Sequence, residues 1–204
     1  MDGAVIPALY PCARMRIAID IDSTLHHYWD LFALLARRRF GVTLPYEEQV
    51  TWDVLPLRRE QVAALVTESH RPEHVLAAEP YADAVETVRA WHEAGHFIHV
   101  TSHRSQTAHP ATSAWLERIG LPYDELFCSW DKVARCVEID IDVLIDDSPR
   151  NILDAQARGI VPATIAHPWN RDLCSEEGIV CAADWAQLRE LLAPLLAAGS
   201  LQRG

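Results

Sequence analysis

From His96 onward the chain alternates short apolar runs with stretches of helical period, and this alternation constrains the fold more than any other feature. "HFIHV" (His96–Val100), "ELFCS" (Glu125–Ser129), "DVLID" (Asp142–Asp146) and "IVPATIA" (Ile160–Ala166) read as strands. Helical segments follow at Ala111–Ile119, closed by Gly120, and after Asp131, which can serve as N-cap. Two more follow at Asn151–Ala157, before Gly159, and at Trp185–Leu196, capped by Asp184. Apolar strands alternating with helices belong to a parallel sheet covered on both faces. The expected fold class is α/β, a Rossmann-like parallel sheet flanked by helices.

A first strand lies upstream, in "IAIDIDSTL" (Ile17–Leu25). Ile17, Ala18, Ile19 and Ile21 suit a buried strand, yet Asp20 and Asp22 interrupt it on one face. Buried acids are costly unless paired, hydrogen-bonded or bound to a metal. Trp29, Phe32, Ala33, Ala36 and Phe40 then space out an amphipathic helix ending at Gly41. Pro45, Pro56, Pro72 and Pro80 break residues 42–80 into short helical pieces, the clearest being Arg58–Ser69. A helical period returns at Tyr81, Ala84, Val85, Val88 and Trp91 and stops at Gly95.

The first two strands are thus about 75 residues apart, against about a dozen for an ordinary crossover. An inserted helical cap over residues 25–79 accounts for the excess and would roof the end of the first strand. Residues 15–24 and 80–204 form the expected core. Residues 1–14 read as a loose arm, with Met15 an alternative start.

A net charge of −11 argues against a nucleic-acid polymer as partner, which would need a basic stripe. It does not exclude small phosphorylated ligands, because a local Lys or a Mg²⁺ can reverse the field inside a site. Cys12, Cys128, Cys136, Cys174 and Cys181 make an odd count without CxxC spacing, so reduced thiols are expected rather than bridges. No basic cluster precedes the short apolar run at the N-terminus, and no apolar stretch approaches the length of a membrane span. The expectation is a soluble cytoplasmic protein; its oligomeric state is not legible.

In open parallel sheets, ligands bind beyond the carboxyl ends of the strands. Those ends supply Asp20 and Asp22, then Thr101 and Ser102 from "HVTSHR", then Lys132, then Asp146 and Asp147 from "LIDDSP". Together they suit phosphoryl transfer. Carboxylates can hold Mg²⁺, an Asp can attack phosphorus, and a second carboxyl can move the proton. Hydroxyls and an ammonium can stabilise the phosphoryl oxygens. Arg104 is a further candidate for substrate binding. In the insertion, Tyr28 and Trp52 offer rings on which a base could stack.

These residues resemble the four motifs of the haloacid dehalogenase superfamily of phosphohydrolases: "DIDST", "HVTS", Lys132 and "LIDD". The likeness spans about residues 15–170, and the insertion resembles that superfamily's helical cap class. "VTWDVL", "DVLIDDSPRNI" and "HPWNRD" are similar to bacterial relatives of 5′(3′)-deoxyribonucleotidases, though Ser23 stands where those commonly have Gly. The resemblance implies Asp20 as nucleophile and Mg²⁺ ligand. It implies Asp22 as general acid/base, giving the metal its main-chain carbonyl. It further implies that Thr101 and the Ser102 backbone bind phosphate and that Lys132 orients it. Asp147 would ligate Mg²⁺ directly and Asp146 mainly through water. A nucleoside monophosphate is the leading substrate class, and a small phosphosugar or other metabolite phosphate the alternative.

Two rivals fit less well. "HEAGH" (His92–His96) satisfies the HExxH zinc pattern, but Gly95 falls where the helix must continue. A receiver-type signalling module also uses acids, a hydroxyl and a Lys, but its acidic pair comes first and it has no such insertion. His26 and His27 read as cap-interface or surface residues, and Trp91, Trp115 and Trp185 as core.

Overall fold

The computed structural model describes residues 14–51 and 53–202. Six parallel strands form one sheet: β1 (Arg16–Asp20), β2 (Phe97–Ser102), β3 (Glu125–Cys128), β4 (Val143–Ile145), β5 (Val161–Ile165) and β6 (Val180–Ala182). Their order is β3-β2-β1-β4-β5-β6. The chain leaves β1 toward one edge and later returns to its other side at β4, so a crevice opens between the ends of β1 and β4. Register places Asp20 beside Thr101 and Ile19 beside Ile145.

The two-residue period of a strand explains how both faces fill. Ile17 and Ile19 point into the larger core with Ile98, Val100, Val143, Trp115 and Trp185. Ala18 and Leu144 point the other way, onto Val133, Cys136, Ala155 and Ile160. Helices α4 (Ala84–Glu93), α5 (His109–Ile119) and α8 (Trp185–Gln202) supply the first layer, and α6 (Lys132–Glu138) and α7 (Pro149–Ala157) the second. Trp115 and Trp185 are core residues, and each indole N–H still finds a carbonyl, on Ala78 and Thr24.

Between β1 and α4 the described residues contain helices and no strand of the sheet: α1 (Tyr28–Phe40), α2 (Arg59–Ser69) and α3 (Pro72–Ala77). Trp29, Phe32, Leu35 and Ala36 on α1 pack with Leu44, Leu57 and Leu65 in a cluster of their own. Gly41 ends α1 with φ +69°, a conformation glycine adopts without steric cost, and its N–H bonds the Arg37 carbonyl. Trp169, from the segment after β5, joins this helical cluster and ties it to the sheet.

Four local expectations need correction. Cys174 and Cys181 form a disulfide, their Cα atoms 5.1 Å apart, whereas Cys128 and Cys136 are free and buried. Residues seven apart on either side of a turn into β6 meet in space, which spacing alone did not reveal. Strand β6 has no counterpart in the sequence reading, although Ile179–Ala183 is an apolar run no shorter than the one that marks β4. Asp131 stands at the N-cap of α6 without a side-chain bond to it, while Asp184 does cap α8 by accepting from the Gln187 N–H at 2.8 Å. Helix α8 continues past Pro194 to Gln202.

Helix α4 ends before His96, whose ring accepts from the Met15 N–H, so the imidazoles of His92 and His96 share no helical face. No helix among the described residues is long and apolar enough to cross a membrane. The loose-arm reading of residues 1–14 falls outside the described residues except at Arg14, which pairs with Asp124.

Candidate active site

The carboxyl ends of β1, β2 and β4 converge where the strand order reverses. Asp20 ends β1, 4% exposed, and Lys132 opens α6, 2% exposed. The Lys132 ammonium donates to Asp20 Oδ1 at 2.6 Å and lies 2.6 Å from Asp146 Oδ2. Carboxylate oxygens of Asp20, Asp146 and Asp147 lie within 4.8 Å of one another, all buried. Asp146 also accepts from the Ser148 N–H at 2.9 Å and from the Asn151 amide at 3.0 Å. Asp147 accepts from the Trp169 indole at 3.1 Å, and its carbonyl accepts from Asn170.

Burial raises the Asp20 and Asp147 carboxyls above their ordinary values, and the neighbouring acids add to it while Lys132 opposes it. Desolvation would lower the Lys132 ammonium, but Asp146 and Asp20 outweigh it and hold the charge firmly. With all three acids ionised, the cluster would carry more negative charge than one lysine balances.

Asp22 faces different neighbours. Arg104 forks onto it, Nη2 to Oδ1 at 2.6 Å and Nε to Oδ2 at 3.1 Å. His26 Nε2 lies 3.0 Å from Oδ1, and His70 Nε2, at the end of α2, lies 3.2 Å from Oδ2. Burial alone would raise the Asp22 carboxyl, but Arg104 and His70, with the His26 bond, hold it well below the usual carboxylate range.

Arg104, expected to contact substrate, is 2% exposed and also bonds Thr112; its position is behind Asp22, off the cleft wall. Its guanidinium spans Asp22 and Thr112 of α5, a placement that sequence could not show. Ser102 is fully buried, its hydroxyl 3.5 Å from Asp22 Oδ2. Thr101 Oγ1 is buried with no hydrogen-bond partner, an orphaned donor beside Asp20.

A cavity of about 180 Å³ opens over these groups. Tyr28, Val66 and His70 from α1 and α2 line one side; His103 and Trp130 line the other with Lys132. Tyr28 is therefore at the cleft, its hydroxyl 2.6 Å from Ser69 Oγ. Trp52 lies outside the described residues. His26, read as an interface residue, is 4% exposed and sits on Asp22.

The family model described as 5′ nucleotidase, deoxy (Pyrimidine), cytosolic type C protein matches residues 14–199. The chain belongs to this family. Among solved structures it is similar to a HAD family hydrolase from Deinococcus radiodurans R1 with bound phosphate and sodium. The TM-score is 0.62 at 19% identity, over 95% of this chain and 100% of that one. D,D-heptose 1.7-bisphosphate phosphatase from B. bronchiseptica, complexed with magnesium and phosphate, gives 0.57 at 13%, over 89% and 99%. A Had-superfamily hydrolase from Ehrlichia chaffeensis gives 0.57 at 14%, over 89% and 97%. No curated protein matches the sequence. This nucleotidase-family chain is a phosphomonoester hydrolase with a HAD-like fold.

Within the family's fold, several residues at the site carried no sequence signal. His70 sits past the last apolar position of α2, and only the packing of α2 over the sheet brings it to Asp22. His103 and Trp130 follow different strands and meet as stacked rings, centroids 5.5 Å apart. Trp169 and Asn170 had a readable signal: "HPWN" begins two residues after the end of β5, at the same sheet edge as the acids.

Proposed function

We propose that this family member is a Mg²⁺-dependent 5′-nucleotidase-like phosphatase that works through an aspartyl-phosphate intermediate. The observation that carries the reading is the buried cluster of Asp20, Asp146 and Asp147 with a single lysine between them. Three carboxylates against one ammonium call for another cation, and hard carboxylate oxygens suit Mg²⁺. Asp20, Asp147 and the Asp22 main-chain carbonyl would hold it, with Asp146 acting through water. Bound there, Mg²⁺ would offset the acids' repulsion and the negative charge of an arriving phosphate.

Asp20 attacks phosphorus in this scheme, and Lys132 steadies the transferring oxygens. The unpartnered Thr101 hydroxyl supplies a further donor. Asp22 then takes the proton from water in the second half-reaction, which requires Arg104 to loosen its fork, because a carboxylate held below its ordinary value is a weak base. Its role as acid in the first half requires the same loosening, because a carboxyl held so low carries no proton to donate. The helices within residues 25–79 serve as the cap, and Tyr28 offers its ring to a base. A cytoplasmic setting follows the family's description as cytosolic; the Cys174–Cys181 bridge pulls the other way, since reducing compartments seldom keep such bonds.

The test is a panel of phosphomonoesters assayed with Mg²⁺ and with chelator. Uridine 5′-monophosphate should exceed ribose 5-phosphate in kcat/KM, and chelation should stop both. Preference for the sugar phosphate would replace the nucleotidase reading with the metabolite phosphatase.

A further inference from the structure

A second groove of about 320 Å³ continues from the catalytic cleft. The two share Val66, His70, His103 and Trp130, so whatever leaves the phosphate site in this direction passes the Trp130 ring. Trp130 is 72% exposed, which is unusual for so large an apolar side chain. It is nonetheless held in place: one face stacks on His103 at an interplanar angle of 22°. The other face has no ring against it among the described residues. Trp130 stands two residues before Lys132, so the fixed start of α6 sets its distance from the phosphoryl site.

We infer that Trp130, backed by His103, is the specificity-determining platform on which the leaving group's flat ring stacks, with the far edge of that ring turned toward the adjoining groove. Deepening the phosphomonoesterase reading, it makes the preferred substrates phosphates of ring-bearing alcohols, and nucleosides in particular. Three features support this occupant. An open indole face gains from a planar π-system and gains little from a polyol. The opposite wall, Val66 and His70 of the α2 segment, closes a slot around such a ring. Arg71 is the groove's permanent charge, and its guanidinium has no ion pair among the described residues. That charge favours a neutral or anionic ring edge and disfavours a cationic one.

The experiment compares kcat/KM for uridine 5′-monophosphate with that for ribose 5-phosphate, the same phosphoester without the base. Trp130→Ala should lower this ratio by about tenfold, mainly through KM, as loss of one base–aromatic stack would. Trp130→Phe, which keeps a flat face, should restore most of it. Being so exposed, Trp130 is not needed for folding, and circular dichroism of the variants checks that. An unchanged ratio, or equal losses on both substrates, overturns the inference; the exposed indole would then be a contact for another protein.

If the unaltered enzyme prefers ribose 5-phosphate, the nucleotide reading fails by itself. The platform is then judged by phenyl phosphate over ribose 5-phosphate: a fall in Trp130→Ala upholds it, and no change rejects it. A direct readout uses Asp20→Asn protein. Uridine 5′-monophosphate should quench tryptophan fluorescence more than inorganic phosphate does, and the excess should vanish in Asp20→Asn/Trp130→Phe. An excess that survives rejects the platform.

Discussion

Asp20 and Asp22 leave the same strand end two residues apart, and the fold surrounds them in opposite ways. Asp20 shares one lysine with two more acids, and its carboxyl is raised. Asp22 has Arg104 to itself, with His26 and His70 in support, and its carboxyl is lowered. The side of Asp20 is short of positive charge, which leaves room for a metal and for phosphate. The side of Asp22 is well supplied and needs no further ion. Identical side chains in one motif are thus divided into a site that awaits cations and a site already neutralised. Partner groups from distant elements make that division, since the two aspartates themselves do not differ.

The largest expected effect tests the Asp20 side. Asp20→Asn keeps the shape but cannot attack phosphorus, so turnover should vanish while circular dichroism stays unchanged; retained turnover would reject the covalent route. Lys132→Ala should cost about 10²–10³ in kcat by removing the ammonium near the developing phosphoryl charge. A rise in KM alone would limit Lys132 to binding.

Stability should respond with opposite signs on the two sides. Arg104→Met leaves the half-buried Asp22 carboxylate without its main cation, a loss of about 1–3 kcal/mol measurable by urea unfolding. Asp147→Asn should do the reverse in metal-free protein at neutral pH. The folded-state values of Asp20 and Asp147 lie above their unfolded ones, so stability is lost as pH rises through the ordinary carboxylate range toward those values. Removing one such raised carboxyl should raise Tm by about 2–4 °C, the shift for about 1 kcal/mol in a chain of this size. Mg²⁺ should stabilise the unaltered protein and not this variant. Asp22 contributes stability in the other direction, present above the ordinary range and lost only as pH falls through its depressed value. A fall in Tm for Asp147→Asn would erase the contrast.

The smallest effect concerns the turn that follows. Ser23 has φ +63°, the left-handed conformation that favours glycine, and its carbonyl accepts from His167 at 2.7 Å. Ser23→Gly should stabilise by about 1 kcal/mol by relieving that strain. No gain in a thermal melt would mean that the His167 bond compensates for it.

The sequence by itself determined the parallel sheet, because apolar runs and helical periods are local patterns that only one class of layered fold can bury. It also placed Asp20, Thr101, Lys132, Asp146 and Asp147 at one edge, since residues that end parallel strands must share that edge. The tertiary structure alone decided the rest. Arg104 points to Asp22 and not into the cleft, His70 arrives on α2, and Trp130 stacks on His103. None of these has a period or a spacing that marks it, because each depends on how helices and loops far apart in the chain pack across the sheet. The Cys174–Cys181 pairing belongs with them, because a bond between two side chains is set by what lies beside them in space. Charge balance at Asp20 and Asp22 was decided the same way, by partners that only the folded chain brings within reach.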